Sequence, residues 1–299
     1  MNKKRNCILI FLFFGILTVK AQYSLSYNLN IGDTYRVVQN ANQEIVQTMD
    51  GSEHIMNNLI EGVFIFKVET LNDSLITFNF SFDRFKMTST SSMMGELMSV
   101  DTNDRIAESD VEGKLFSGLT ESNLKMEMYK NGHIKSIAGT ETMVNGMINK
   151  AGNFDDFTKE LMKEAMNKEF GGKTLSESFE QLTFIYPNEE VKQGAKWNTT
   201  YNGKVSAENI WTLDNVSKDS FQISGQSKVN FKTDDTTISM NLEGTTQTKV
   251  TSSRDSGFIS SMTSNSKAEG ISVMKTMEGV EIPTKMTTKI TYKVTKNVQ

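Results

Sequence analysis

Two histidines, His54 and His133, and a single cysteine, Cys7, are nearly all that this 299-residue chain offers for conventional nucleophilic or metal chemistry. Each histidine sits in a polar strand pattern beside a turn, which reads as an exposed strand histidine rather than a general base. No Gly-x-Ser-x-Gly elbow accompanies them, so a Ser-His-Asp triad has no support. Zinc asks for three or four His, Cys or carboxylate ligands, more than two distant histidines supply. Asp101-Thr102-Asn103-Asp104-Arg105-Ile106 opens like a calcium loop and has Glu112 at its twelfth position. Arg105 nevertheless occupies a ligand position, and Ile106 replaces the glycine of the sharp turn. The stretch reads as a solvated acidic loop. Gly171-Gly172-Lys173-Thr174 ends like a phosphate loop, but Asn167 stands where the upstream glycine belongs and a helical pattern precedes it, so it reads as a helix stop. No catalytic residue, metal site or cofactor is expected, and the chain reads as non-enzymatic.

Methionine is the compositional oddity, with 18 in the chain. Thioethers fill irregular apolar space and suit surfaces that accept variable ligands. Met143, Met147 and Met162 fall near Phe154, Phe157 and Leu161, and these six are the candidate lining of an apolar pocket between helices and sheet, able to hold a lipid tail. The plain alternative is a soft core. Met93, Met94 and Met98 lie in a Ser/Thr-rich stretch read as a mobile loop. Copper is disfavoured, because no Met-x-x-Met cluster has a partnering histidine.

The elements that must position these residues are mostly strands. Ile76, Phe78, Phe80 and Phe82 alternate with polar residues. Near the C-terminus Met286, Ile290, Tyr292 and Val294 share one face, while Lys285, Lys289 and Lys293 share the other. That period of two marks half-buried antiparallel strands. The lysine row reads as a guard against edge-to-edge pairing of an edge strand. Asp50-Gly51, Asn131-Gly132 and Leu71-Asn72-Asp73-Ser74 supply hairpin turns. Residues 153 to 182 break the pattern. There Phe154, Phe157, Leu161, Met162, Ala165 and Met166 recur at helical spacing, with Asp155–Lys159 and Glu164–Lys168 as i,i+4 pairs. Gly171-Gly172 stops that helix. A shorter one follows, opened by Thr174 and Glu177 as a capping box, with Leu175, Phe179 and Leu182 inward. Met143 to Ile148 leans to helix despite Asn145-Gly146.

A charged start, Lys3-Lys4-Arg5, runs into an apolar stretch from Cys7 to Val19 and then Val19-Lys20-Ala21, the pattern of a signal peptide cleaved near Ala21. The expected location is secreted or periplasmic, with no transmembrane anchor. No cysteine stands at the cleavage point, so a freely released protein is expected. Cleavage removes four basic residues and no acid, moving the formal charge from −4 to −8. A nucleic-acid partner is disfavoured. Without cysteine the exported chain must be held by its core alone.

The chain also echoes itself. Leu29-Asn30-Ile31-Gly32-Asp33-Thr34-Tyr35 matches Val191-Lys192-Gln193-Gly194-Ala195-Lys196-Trp197 in pattern, and Gly132-His133-Ile134-Lys135-Ser136 matches Gly257-Phe258-Ile259-Ser260-Ser261. The expected organisation is a signal peptide over 1–21, a first β-rich half over 22–139, a helical insertion over 140–183 and a second β-rich half over 184–299. The fold class is mainly β (α+β), long curved antiparallel sheets with the insertion packed on them. The Gly-Asp-x-Tyr opening, the run from Tyr186 to Trp197 and the Gly-x-Ile-x-Ser echo resemble an uncharacterised, domain-of-unknown-function family of exported bacterial proteins. The curved sheet with a helical cover also resembles the half-barrels of periplasmic lipoprotein carriers, whose lipid-binding relatives carry a lipobox cysteine that is missing here. That likeness implies a binding or carrier module for an apolar small molecule or lipid. The alternative is a structural or interaction protein of the envelope with a protein partner. A hydrolase comes third.

Overall fold

The computed structural model describes residues 21–276 and 279–297. The signal-peptide reading of residues 1–20 lies outside them. The first half contains β1 (Gln22–Tyr23), β2 (Thr34–Met49), β3 (Ser52–Leu71), β4 (Leu75–Ser91), β5 (Gly95–Asp101), β6 (Leu124–Tyr129) and β7 (Ile134–Ala138). Helix α1 (Val111–Ser117) and a short 3-10 turn precede β6. Helices α2 (Thr140–Ala151), α3 (Asp156–Phe170) and α4 (Gly172–Thr183) follow β7. Then come β8 (Val191–Lys192), β9 (Lys196–Tyr201), β10 (Val205–Val216), β11 (Ser220–Asp234), β12 (Ile238–Ser253), β13 (Ile259–Met274) and β14 (Val280–Asn297).

Twelve of these strands form one antiparallel sheet in the order β7-β6-β4-β3-β2-β14-β13-β12-β11-β10-β9, with β5 on the distal half of β4; β1 and β8 pair separately. The β2–β3 hairpin turns through Asp50 (φ 50°) and Gly51 (φ 77°), a left-handed pair whose twist matches the strands it joins. At the β3–β4 turn, Asn72 Oδ1 accepts from the amides of Ser74 and Leu75 at 3.0 and 2.7 Å.

The expectation that the last strand is an edge is overturned: β14 lies between β13 and β2 and joins the two halves of the sheet. Its lysines face outward because Met286 and Tyr292 are buried on the other side. The sheet edges are β7 and β9. Helix α4 packs on β7 and reaches β9, and Trp197 of β9 donates Nε1 to the Ile185 carbonyl just beyond α4 at 2.8 Å.

One face of the sheet carries the core. Phe64, Phe66 and Phe80 surround Phe179 of α4 with ring centroids 4.9 to 5.8 Å apart, edge to face, each pair adding about 0.5–1.5 kcal/mol beyond its buried area. Helix α2 inserts Met143, Val144, Met147 and Ile148 into the same core, so the Asn145-Gly146 turn signal is overridden by burial on either side of it. Helix α4 buries Leu175, Phe179 and Leu182 as its spacing predicts, but Gly171 rather than Thr174 stands at its N-terminus. Thr174 Oγ1 instead donates back to the Lys168 carbonyl. The carboxylate of Asp155 caps α3 by accepting from the Thr158 amide at 3.0 Å, and Glu164 and Lys168 pair at 3.2 Å. Helix α1 has no counterpart in the sequence reading; Asp110 starts it by accepting from the Gly113 amide.

The echoing motifs make matching hydrogen bonds. Gly32 and Gly194, both left-handed, donate their amides to Val68 and Leu213, whose amides return to the carbonyls of Asp33 and Ala195. Gly132 and Gly257, also left-handed, each press against the backbone of a passing segment, at Thr183 and Ser26.

Candidate functional site

The core face of the sheet is interrupted halfway along the strands by a polar row. Thr199, Asn209, Ser227, Thr246, Ser266, Thr288, Gln43, Asn58 and Ser89 stand directly opposite one another in succession from β9 to β4. Alternation places them on the core face, and the antiparallel register puts them at one level. Most of the row is bonded internally. Asn209 donates to Thr199 at 3.2 Å and accepts from Ser227 at 2.5 Å, while Thr246 and Ser266 pair at 2.7 Å. Farther along, Asn58 donates to Gln43 at 3.0 Å and accepts from Ser89 at 2.7 Å. The chain of bonds breaks at Thr288, whose buried Oγ1 has no partner among the described residues.

In the second half of the sheet this row forms the floor of a slot. Tyr201 of β9, Tyr292 of β14 and Gln181 of α4 line it together with Trp211, Thr246 and Thr288. Four strands lie between β9 and β14 in the sheet, so walls that share one void require this half to curl. Gly225 makes room on the floor, since any side chain there would meet the Trp211 ring. Trp211 Nε1 is satisfied by Thr199 Oγ1 at 2.9 Å. The cavity measures about 50 Å³, room for roughly three waters.

Among the described residues, no charged side chain lines the slot. Among the described residues, the hydroxyls of Tyr201 and Tyr292 donate to no protein atom. Burial pushes the Tyr201 phenol up to about 12, and burial together with the neighbouring Tyr201 raises Tyr292 further. The chemistry on offer is hydrogen bonding by neutral hydroxyls and amides between apolar walls, with no nucleophile and base in contact. On the near side lie Trp211 and Ile290. On the far side are Val229 and Phe231, then Leu242, Ala268 and Met286 in a second small core.

The six residues predicted to line a pocket fall elsewhere. Met143 and Met147 are buried in the main core, at 3% and 0% exposure. Phe154 is half-buried, and Met162 leans on the core from α3. Phe157 and Leu161 point to water, at 73% and 53% exposure. None of the six lines the slot.

His54 sits on β3 opposite Gln47. His133 stacks on Tyr129 and meets the largely buried Glu180, which also accepts from the Ile134 amide at 3.0 Å, so the pair docks α4 onto the β6–β7 turn. Asp101, the first residue of the calcium-like run, is engaged by the Arg84 guanidinium at 2.9 and 2.5 Å. That fork holds its carboxyl near 2.

The slot residues are missed by sequence reading because register, not local pattern, brings them together. A signal exists in β11, β12 and β13, where each inward series turns small or polar at its centre: Gly225-Ser227, Thr246-Thr248 and Ser264-Ser266.

Among the described residues, no helix is long and apolar enough to cross a membrane. No curated protein matches the sequence. Among solved structures, 90% of the chain aligns with 26% of a lipovitellin chain, from a study of lipid–protein interactions in lipovitellin, at TM-score 0.49 and 11% identity. The chain thus spans about a quarter of that protein's length. The same share aligns with 97% of an outer membrane channel from Pseudomonas putida F1, at TM-score 0.24 and 8% identity. The model of one protein family matches residues 73–259, more than half of the sequence, and the chain belongs to that family, DUF6263, a family of unknown function.

Proposed function

We propose that the chain is an exported, non-enzymatic binding or carrier module whose ligand occupies the slot between α4 and the curled strands β9 to β14. The observation that carries this reading is Thr288, whose buried Oγ1 has no partner among the described residues, beside the phenols of Tyr201 and Tyr292, which line the same void and donate to no described protein atom. A buried polar group left without a partner costs about 1–3 kcal/mol, which a core built for stability alone avoids with apolar side chains. A ligand that bonds these hydroxyls relieves that cost. A cavity of about 50 Å³ is too small for a whole lipid. Entry therefore requires the walls to part at the seam where edge strand β9 meets the helices, held by the exposed Lys204–Glu169 pair at 2.5 Å.

The rival reading, an envelope interaction protein, is favoured by the exposed Phe157 and Leu161 on α3. Native mass spectrometry of the chain purified from its exporting host, followed by solvent extraction, separates the two. The carrier reading expects a stoichiometric small-molecule adduct that is lost on extraction. A clean apo mass, with no uptake of supplied lipids, contradicts it.

A further inference from the structure

Resting on the slot as a ligand site, we infer that its ligand is an amphiphile with an uncharged, hydrogen-bonding head group, an alcohol, ester or amide, seated on the hydroxyl row with its tail toward the far-side apolar residues. Three features select this class. Among the described residues the lining supplies hydroxyls and amides but no Lys, Arg, His, Asp or Glu, so a carboxylate or phosphate finds no counter-charge there. An unpaired ion in such surroundings is strongly disfavoured. The groups on offer are neutral donors and acceptors, Thr288 at the level of the Thr246–Ser266 pair with the phenols of Tyr201 and Tyr292 on the walls of the same void, which matches a head bearing several hydrogen-bonding atoms. The floor is polar at that level and at the next one on the near side, where Thr248 and Ser264 bond each other at 3.0 Å. On the far side the inward residues turn to Val229 and Phe231, then to Leu242, which is fully buried. A wholly apolar ligand would leave the hydroxyls unpaired, and a wholly polar one would meet these residues without partners. An amphiphile satisfies both.

The test is a binding titration of the delipidated full chain with 1-monooleoylglycerol and with oleate, which share a tail and differ in head charge at pH 8. The expected result is a Kd at least tenfold lower for monooleoylglycerol. The double variant Tyr201→Phe/Tyr292→Phe should reduce that ratio at least threefold while leaving the far-UV spectrum and Tm unchanged. Thr288→Val, nearly isosteric, should weaken monooleoylglycerol binding and leave oleate unaffected. Equal affinity for oleate overturns the neutral-head assignment while leaving a carrier in place. Uptake of neither probe overturns the slot itself as a ligand site. Preference unchanged in both variants, each folded, overturns the role given to these hydroxyls.

Discussion

Tyr201 and Tyr292 line one cavity although the strands that carry them, β9 and β14, are separated in the sheet by four others. Their phenols line the void and donate to no protein atom among the described residues, and that juxtaposition turns an ordinary antiparallel sheet into a candidate container.

Among the described residues, neither hydroxyl donates a bond to the protein. Tyr292→Phe is expected to change the unfolding free energy by less than about 1 kcal/mol in urea denaturation, since the phenol donates to no described protein atom and the ring is kept. A destabilisation beyond about 1 kcal/mol would show that the phenol has a partner.

Burial raises five of the seven tyrosines, Tyr27, Tyr35, Tyr186, Tyr201 and Tyr292, above their ordinary range. A folded pKa above the unfolded one means that the native state holds the proton longer. The stabilisation is therefore complete below about pH 10 and declines as pH rises through the folded values, for Tyr201 about 12. Tyrosinate absorbance should show these phenols ionising only above their ordinary range, and stability falling from pH 10 upward. Simple ionisation of all seven near pH 10 in the folded protein contradicts the buried placement.

Asp101 shifts the opposite way. With its carboxyl held near 2 by the Arg84 fork, its contribution is present above about pH 4 and is lost as pH falls toward 2. Asp101→Asn should cost about 1–3 kcal/mol at pH 7 and much less at pH 2.5, as measured by denaturant midpoints at the two pH values.

Two kinds of left-handed glycine should respond differently. Gly32→Ala meets open space and should cost about 1 kcal/mol of backbone strain. Gly132→Ala and Gly257→Ala drive a methyl group into the backbone at Thr183 and Ser26 and should each cost more than about 3 kcal/mol, or prevent folding. Equal Tm shifts at all three positions would show that the close approaches are not tight.

The strand alternation, the hairpin at Asp50-Gly51 and the inward faces of α2 and α4 are legible in the sequence because each depends on residues close in the chain. The edge assignment of β14 is not. Lys285, Lys289 and Lys293 look like an edge guard until β2, more than two hundred residues earlier, is found beside them. The polar row is hidden for the same reason: Asn209, Ser227, Thr246, Ser266 and Thr288 converge through register alone. Conversely, the helical spacing of Phe157 and Leu161 suggested burial, whereas α3 lies on the core only through Met162, Met166 and Phe170.

The most direct measurement follows the methionine methyl resonances of the full chain as 1-monooleoylglycerol is added. Met262 lines the slot, whereas Met143 and Met147 are sealed in the main core and Met94 is exposed on the β4–β5 turn. Binding in the slot predicts a saturable shift of Met262 with Met143, Met147 and Met94 unmoved. A shift of Met143 and Met147 with Met262 unmoved would contradict the slot and return the ligand to the helical layer.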